Sequence, residues 1–235
     1  MLLLAADTSG KQGTIALVRL LPPSGNHQGA DQRRANQIES IDVVSIAGGT
    51  FSAQLVPQIA ALLSKHGFKK EDISAFAVAS GPGSFTGLRV GLAAIKALAE
   101  VTGKPIAAVS MLEAVARAGH ISGRIMAALD AGRAQVYAGE YEIKDEATML
   151  SERLLTIDEF VTAAPGCTVV TPDQNVADQV RGAGLAVREI ERPRSDAIAR
   201  LGWRKILAGT TVSSEDLEAN YIRRFDGEIV SNRHC

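Results

Sequence analysis

The chain has 235 residues, 46% apolar and 22% charged, with a formal net charge of −1. That balance fits one large or two modest globular domains and argues against a molecule that binds polyanions over its whole surface. Its two cysteines, Cys167 and Cys235, are too few and too far apart for a disulfide framework or a cysteine zinc site, which points to a reducing compartment. Met1 to Ala6 is apolar but has no basic flank and meets Asp7 too early for a signal peptide. No apolar run approaches the roughly 20 residues that cross a bilayer, so a cytoplasmic protein is expected, with no membrane contact.

In chain order, Leu2 to Ala6 reads as a buried strand ending in the polar turn Asp7-Thr8-Ser9-Gly10, with Thr14 to Leu20 as its hairpin partner. Leu21 to Asn36, rich in Pro, Gly and Gln, is expected to be a mobile tip, and Ile38 to Ile46 a third strand. Ser52 to Lys65 has helical spacing, with Leu55, Ile59 and Leu62 on one stripe and Val56, Ala60 and Leu63 beside it; Gly67 ends it. The apolar run Ile73 to Ala79 predicts a strand. Gly81-Pro82-Gly83 then turns the chain, and Ser84 caps a helix that runs to Thr102 and stops at Gly103 and Pro105. A second series follows: strands at Ile106 to Val109 and Ile125 to Asp130 flank a helix at Met111 to Ala118, and Ala134 to Tyr141 returns as a hairpin. Weaker strand and helix signals alternate to about Ala208. The order predicts a two-lobed α/β protein with a break near Gly103 to Ser110.

The helix after the Gly-Pro-Gly turn is apolar on two sides. At about 100° per residue, Phe85, Leu88, Leu92, Ile95 and Ala99 form one stripe, and Val90, Ala94, Ala97 and Val101 another roughly opposite. Arg89, Lys96 and Glu100 mark a narrow charged edge between them. Such a helix has two surfaces to cover, one against its own sheet and one against a neighbouring helix or another protein.

Asp7, Thr8 and Ser9 place a carboxylate and two hydroxyls at a strand tip. That group can hold a phosphate and its metal in the actin, Hsp70 and sugar-kinase superfamily, but by themselves these residues read first as a polar hairpin turn, where Asp, Ser and Gly are favoured anyway. The glycine-rich turn that would hold adenosine in a second lobe is missing: the one adjacent glycine pair, Gly48-Gly49, lies in the first half, and the second offers Gly182-Ala183-Gly184. Leu129-Asp130-Ala131-Gly132-Arg133 reads either as a second phosphate turn or as an exposed loop. His27, His66, His120 and His234 have no metal-binding spacing, and no G-x-S-x-G elbow announces a hydrolase.

These pieces resemble the TsaB (YeaZ) family of bacterial tRNA-modification proteins. The match is carried by Ala5-Ala6-Asp7-Thr8-Ser9, above all by Ser80-Gly81-Pro82-Gly83-Ser84-Phe85-Thr86-Gly87-Leu88-Arg89-Val90-Gly91, then by Leu129 to Arg133 with Val136-Tyr137, and by Tyr221-Ile222-Arg223. Phe51 stands where the family often has histidine, Ala219 where it has proline, and Thr171-Pro172-Asp173 where a Gly-Asp-Gly turn is usual.

The resemblance implies an α/β fold of two RNase-H-like (actin-like ATPase) lobes, each a mixed sheet flanked by helices. The first would span residues 1–104 and the smaller, degenerate second 105–235. It implies a non-catalytic subunit for synthesis of tRNA threonylcarbamoyladenosine (t6A), pairing with a catalytic paralogue, TsaD, and working with the ATPase TsaE. It further implies self-association when alone and contact with tRNA through the complex. The expected partner interface is Leu55, Ile59, Leu62, Phe85, Leu88, Leu92 and Ile95; Asp7, Thr8 and Ser9 become a degenerate phosphate turn. No catalytic residue, metal or cofactor of its own is expected, with ATP confined to a complex interface. The alternative is a free-standing ATPase or phosphotransferase using Asp7. Arg188, Arg192, Arg194, Arg223, Arg224 and Arg233 are candidates for direct tRNA contact, though such clusters are ordinarily solvated.

Overall fold

A computed structural model describes residues 1–21 and 38–223. The expected mobile tip at Leu21 to Asn36 therefore lies, apart from Leu21, outside the described residues, as do His27, Arg224, Arg233, His234 and Cys235. The chain divides into two compact units: residues 1–114 with 193–219, and residues 115–192 with the described tail from 220.

The first unit is built on a five-stranded mixed sheet. Its strands are β1 (Leu2–Asp7), β2 (Gln12–Leu20), β3 (Ile38–Ala47), β4 (Ile73–Gly81) and β5 (Ile106–Ser110), in the order β3-β2-β1-β4-β5. The first three pair antiparallel; β4 and β5 join parallel, because each arrives by a helical crossover. Helices α1 (Phe51–Lys65) and α2 (Phe85–Thr102) supply those crossovers and pack on one face of the sheet. There they cover Leu2, Leu4, Ala6, Ile15, Leu17, Phe76 and Val78. Alternation along the strands sends Leu3, Ala5, Ala16 and Ala77 to the other face, where α6 (Ser195–Leu207) lies across β1, β2, β4 and β5.

Helix α3 (Met111–Ala118) follows β5, and the second unit then repeats the plan with strands β6 (Gly123–Gly132), β7 (Gln135–Ile143), β8 (Ala147–Thr156), β9 (Thr168–Thr171) and β10 (Val187–Glu189) in the order β10-β9-β6-β7-β8. Strands β6, β7 and β8 form an antiparallel meander, and β9 and β10 extend it in parallel. Helices α4 (Ile157–Ala163) and α5 (Gln174–Gly182) enclose a core of Met126, Ala128, Val136, Ala138, Phe160, Val169, Val176 and Val180. α4 begins with a capping box: Thr156 accepts from the Glu159 amide while the Glu159 carboxylate accepts from Thr156, which also holds that carboxyl below its ordinary range.

Two sequence expectations change here. The break expected between 104 and 105 falls instead after Ala114, because β5 hydrogen-bonds to β4 and completes the first sheet. The chain also returns to the first unit at Pro193, since the inner strands would otherwise leave one apolar face bare. α6 meets that face through Ile198, Ala199, Leu201, Gly202 and Trp203. A methyl at Gly202 would lie 2.5 Å from Ala77 Cβ, so this helix touches the sheet almost backbone to side chain.

Candidate functional site: the strand-tip turn and its helix

The turn after β1 is sealed rather than open. Asp7, Thr8 and Ser9 are 3%, 2% and 3% exposed. The Asp7 carboxylate accepts the Ser9 amide at 2.8 Å, an Asx-type closure of the turn. The Thr8 hydroxyl donates to the Gly87 carbonyl at 2.7 Å, and the Ser9 carbonyl accepts the Ser84 amide at 2.7 Å. The expected Ser84 cap is present, its Oγ accepting from the Gly87 amide at 3.2 Å.

What allows this contact is a glycine edge. A Cβ at Gly83 would lie 2.4 Å from the Ser9 carbonyl oxygen, one at Gly87 2.0 Å from the Thr8 carbonyl oxygen, and one at Gly91 2.3 Å from Thr8 Oγ1. None of these fits a side chain, so the start of α2 rests directly on the turn. The four-residue spacing of the three glycines is the sequence signal for this close approach. In this arrangement the Thr8 hydroxyl proton is taken up in the hydrogen bond to the Gly87 carbonyl.

Six of the seven residues expected at a partner interface belong to the core instead. Leu55, Ile59, Leu62, Leu88, Leu92 and Ile95 are at most 6% exposed, and all but Leu88 join the core cluster on this face of the sheet. The bulky aliphatic stripe is drawn to the sheet because it removes the most apolar area from water. Phe85 is half-buried, and the Arg89 guanidinium lies 3.7 Å from its ring centroid. The alanine-valine stripe is only partly open to solvent: Val101 is 71% exposed and Val56 53%, Ala60 and Ala97 are exposed, and Val90 and Ala94 are half-buried against the core. Phe51, at the family's usual histidine position, opens α1 with its ring over Gly13, where a Cβ would lie 2.8 Å away.

In the second unit, Leu129 to Arg133 forms the β6–β7 hairpin tip. Arg133 and Ala134 adopt left-handed backbone with φ of 56° and 54°, and Arg133 is exposed. Asp173, in the departing Thr171-Pro172-Asp173 segment, accepts the Asp130 amide at 2.7 Å and so braces the tip against the start of α5. Beside it lies a cleft of about 120 Å3 lined by Asp130, Arg133, Gln135, Ile157, Asn175 and Gln179. Gly182-Ala183-Gly184 merely ends α5. Among the described residues no cluster of three or more His, Cys, Asp or Glu is placed to hold a metal. Cys167 is buried, which pushes its thiol up.

The tail motif acts locally, which the sequence did not reveal. Arg223 donates to Gln135 Oε1 at 2.7 Å and lies 5.9 Å from the Tyr137 ring centroid, while Asn220 donates to Glu152 at 2.6 Å. Tyr141 donates to the same carboxylate. Of the arginines named for tRNA contact, Arg188 and Arg194 are exposed and Arg192 is half-buried. Arg223 is engaged with the second unit's sheet.

Two mixed five-stranded sheets with flanking helices, the first carrying a polar turn at its leading strand tip, define an RNase-H-like, actin-like α/β protein. A family model described as TsaD, tRNA N6-adenosine threonylcarbamoyltransferase, matches residues 36–189. The chain is 42% identical over 95 residues to the tRNA threonylcarbamoyladenosine biosynthesis protein TsaB of Bacillus subtilis, covering 40% of this chain and 42% of that one. It is 28% identical over 183 residues to the TsaB protein of Escherichia coli, covering 72% and 79%. In three dimensions it matches YeaZ from Pseudomonas aeruginosa with a TM-score of 0.73 at 24% identity, over 94% of this chain and 99% of that one, a likeness of fold. The chain belongs to the TsaD family as that model defines it, and the curated relatives it resembles are TsaB proteins. No helix among the described residues is long and apolar enough to cross a membrane.

Proposed function

We propose that this chain is a non-catalytic subunit of the machinery that makes tRNA threonylcarbamoyladenosine, acting in the cytoplasm by docking a TsaD-type transferase. The names of its TsaB relatives support the pathway. The observation that carries the docking role is the exposed apolar surface of α1 and α2, with Val101 71% and Val56 53% exposed on helices whose bulkier stripes pack on the sheet. Small side chains let a partner helix approach closely, and burying them removes apolar surface from water. The same surface serves self-association when the chain is alone. A TsaE-type ATPase joins the assembly, tRNA is engaged through it, and any ATP sits at an interface of the complex. The chain itself transfers nothing, in keeping with a turn whose Thr8 hydroxyl and Asp7 carboxylate bond to protein groups.

The test is a titration of the full chain with its cognate TsaD-type transferase, followed by sedimentation and native mass measurement. Val101→Glu is expected to abolish both the mixed complex and the homodimer without unfolding the chain. Wild-type affinity in that variant refutes the surface. Magnesium-dependent ATP hydrolysis by the isolated chain, lost in Asp7→Ala, refutes the non-catalytic role.

A further inference from the structure

A phosphate-type turn has no phosphate work in a subunit that transfers nothing, yet Asp7, Thr8 and Ser9 are all buried, and Thr8 and Ser9 bond to the start of α2. We infer that Thr8 is a positioning residue for the docking surface: it fastens the strand-tip turn to α2, so the geometry of the turn and the binding of a partner are coupled. The inference rests on the docking reading above.

The geometry leaves α2 one pose. At about 100° per residue, Gly87 and Gly91 lie on the helix edge between the buried Leu88, Leu92, Ile95 and Ala99 stripe and the outer Val90, Ala94, Ala97 and Val101 stripe. The glycine edge is the one part of the circumference that fits against Thr8, since a Cβ there would come within 2.0 Å of its carbonyl oxygen or 2.3 Å of its hydroxyl. Turning the helix by a residue would drive Leu88 or Val90 into that contact. The Thr8 Oγ1 bond to the Gly87 carbonyl fixes the helix along its axis, and the Ser84 amide bond to the Ser9 carbonyl fixes its first turn. A partner seated on the outer stripe therefore presses on a helix whose adjoining edge is the turn. Packed elements of this kind shift between discrete arrangements rather than bending continuously.

The test compares Thr8→Val, which keeps the shape and removes the hydroxyl, with Thr8→Ser, which keeps the hydroxyl. Each full chain is titrated with the cognate TsaD-type transferase and examined alone for self-association by sedimentation. Thr8→Val is expected to weaken transferase binding by about tenfold, with the helical signal in circular dichroism intact, and Thr8→Ser to bind within about twofold of wild type. In the wild type, saturation with transferase is expected to slow hydrogen exchange at the Ser84 and Ser9 amides by about fivefold or more, though neither lies on the outer stripe. If Thr8→Val is poorly folded, the wild-type exchange experiment decides by itself. Wild-type affinity in Thr8→Val, or unchanged exchange at both amides, overturns the coupling and leaves docking intact. Absence of any binding by the wild-type chain overturns the docking reading and the coupling with it.

Discussion

Asp42 ties β3 to the end of α1 through its carboxylate. It sits on β3 and accepts from His66 Nε2 at 2.9 Å and from Lys65 Nζ at 2.7 Å, both at the C-terminal end of α1. Those bonds, the histidine's first and the lysine's next, lower its pKa from 3.8 to about 2. A carboxylate held below its unfolded pKa contributes stability that is fully present above that unfolded value and is lost as pH falls through the folded one. The window is therefore from about pH 4 down to about pH 2. Asp42→Asn is expected to melt below wild type at neutral pH, with the gap closing across that window; a gap constant from pH 7 to 2 in thermal melts would show that the carboxylate is not the cause. The basic cap on a helix end was readable from His66 beside Gly67, but its partner was not, because Asp42 lies 24 residues away and only strand pairing brings it there. A second residue-scale prediction separates the two stripes of α2. Ile95 is 0% exposed, so Ile95→Ala should cost roughly 2–5 kcal/mol in chemical denaturation. Val101→Ala should fall within about 0.5 kcal/mol of wild type, as surface changes do.

At the scale of elements, the early strands and first three helices were legible because each signal is local: apolar runs give strands, and glycine, proline and serine punctuate the helices. Ser84 and Gly103 do cap α2 as expected, Gly103 in the left-handed conformation with φ of 63°. What periodicity does not carry is which apolar stripe turns inward. Leu88, Leu92 and Ile95 against Val90, Ala94, Ala97 and Val101 is a contrast of size, and size decides: the bulkier stripe is buried, Val90 and Ala94 are half-buried at the edge of the core, and Ala97 and Val101 face solvent. The same contrast governs α6, whose Gly202 rests on Ala77 and Ala107. Gly202→Ala puts a methyl 2.5 Å from Ala77 Cβ, so the helix must lift from the sheet. The gain in helix propensity, about 1 kcal/mol, opposes an overpacking cost of typically 1–3 kcal/mol, and the expected outcome is net destabilisation. A lower midpoint in urea with an unchanged slope would bear this out, and a higher midpoint would show that the contact relaxes freely. The N-terminus of α6 is pinned independently. Ser195 Oγ donates to the Thr14 carbonyl at 2.6 Å, and the Ser195 amide donates to Thr14 Oγ1 at 3.0 Å.

For the whole molecule, the decisive fact is that the first unit is discontinuous in sequence. No local signal announces this: residues 193–219 follow the second unit's strands, and their place in the first unit is set by an apolar sheet face formed by β1, β2, β4 and β5, far upstream in the chain. The physical requirement is nonetheless simple, since a sheet whose strands are buried on both faces needs cover on both. α1 and α2 cover one face of the first sheet; Ile198, Leu201 and Trp203 of α6 anchor the cover on the other. Burying three large side chains is worth roughly 1.5–3 kcal/mol each, together comparable with the 5–15 kcal/mol net stability of an ordinary domain. A fragment of residues 1–104 lacks both this helix and β5. It is expected to be unfolded or aggregated, with its β1 and β4 amides exchanging freely. A chain joining residues 1–114 through a flexible linker to residues 193–219 is expected to fold cooperatively, because it restores the complete sheet and both covering layers. Cooperative unfolding of the 1–104 fragment at the stability of the joined chain would show that α6 and β5 are dispensable, and that the stability of this unit resides in α1, α2 and four strands alone.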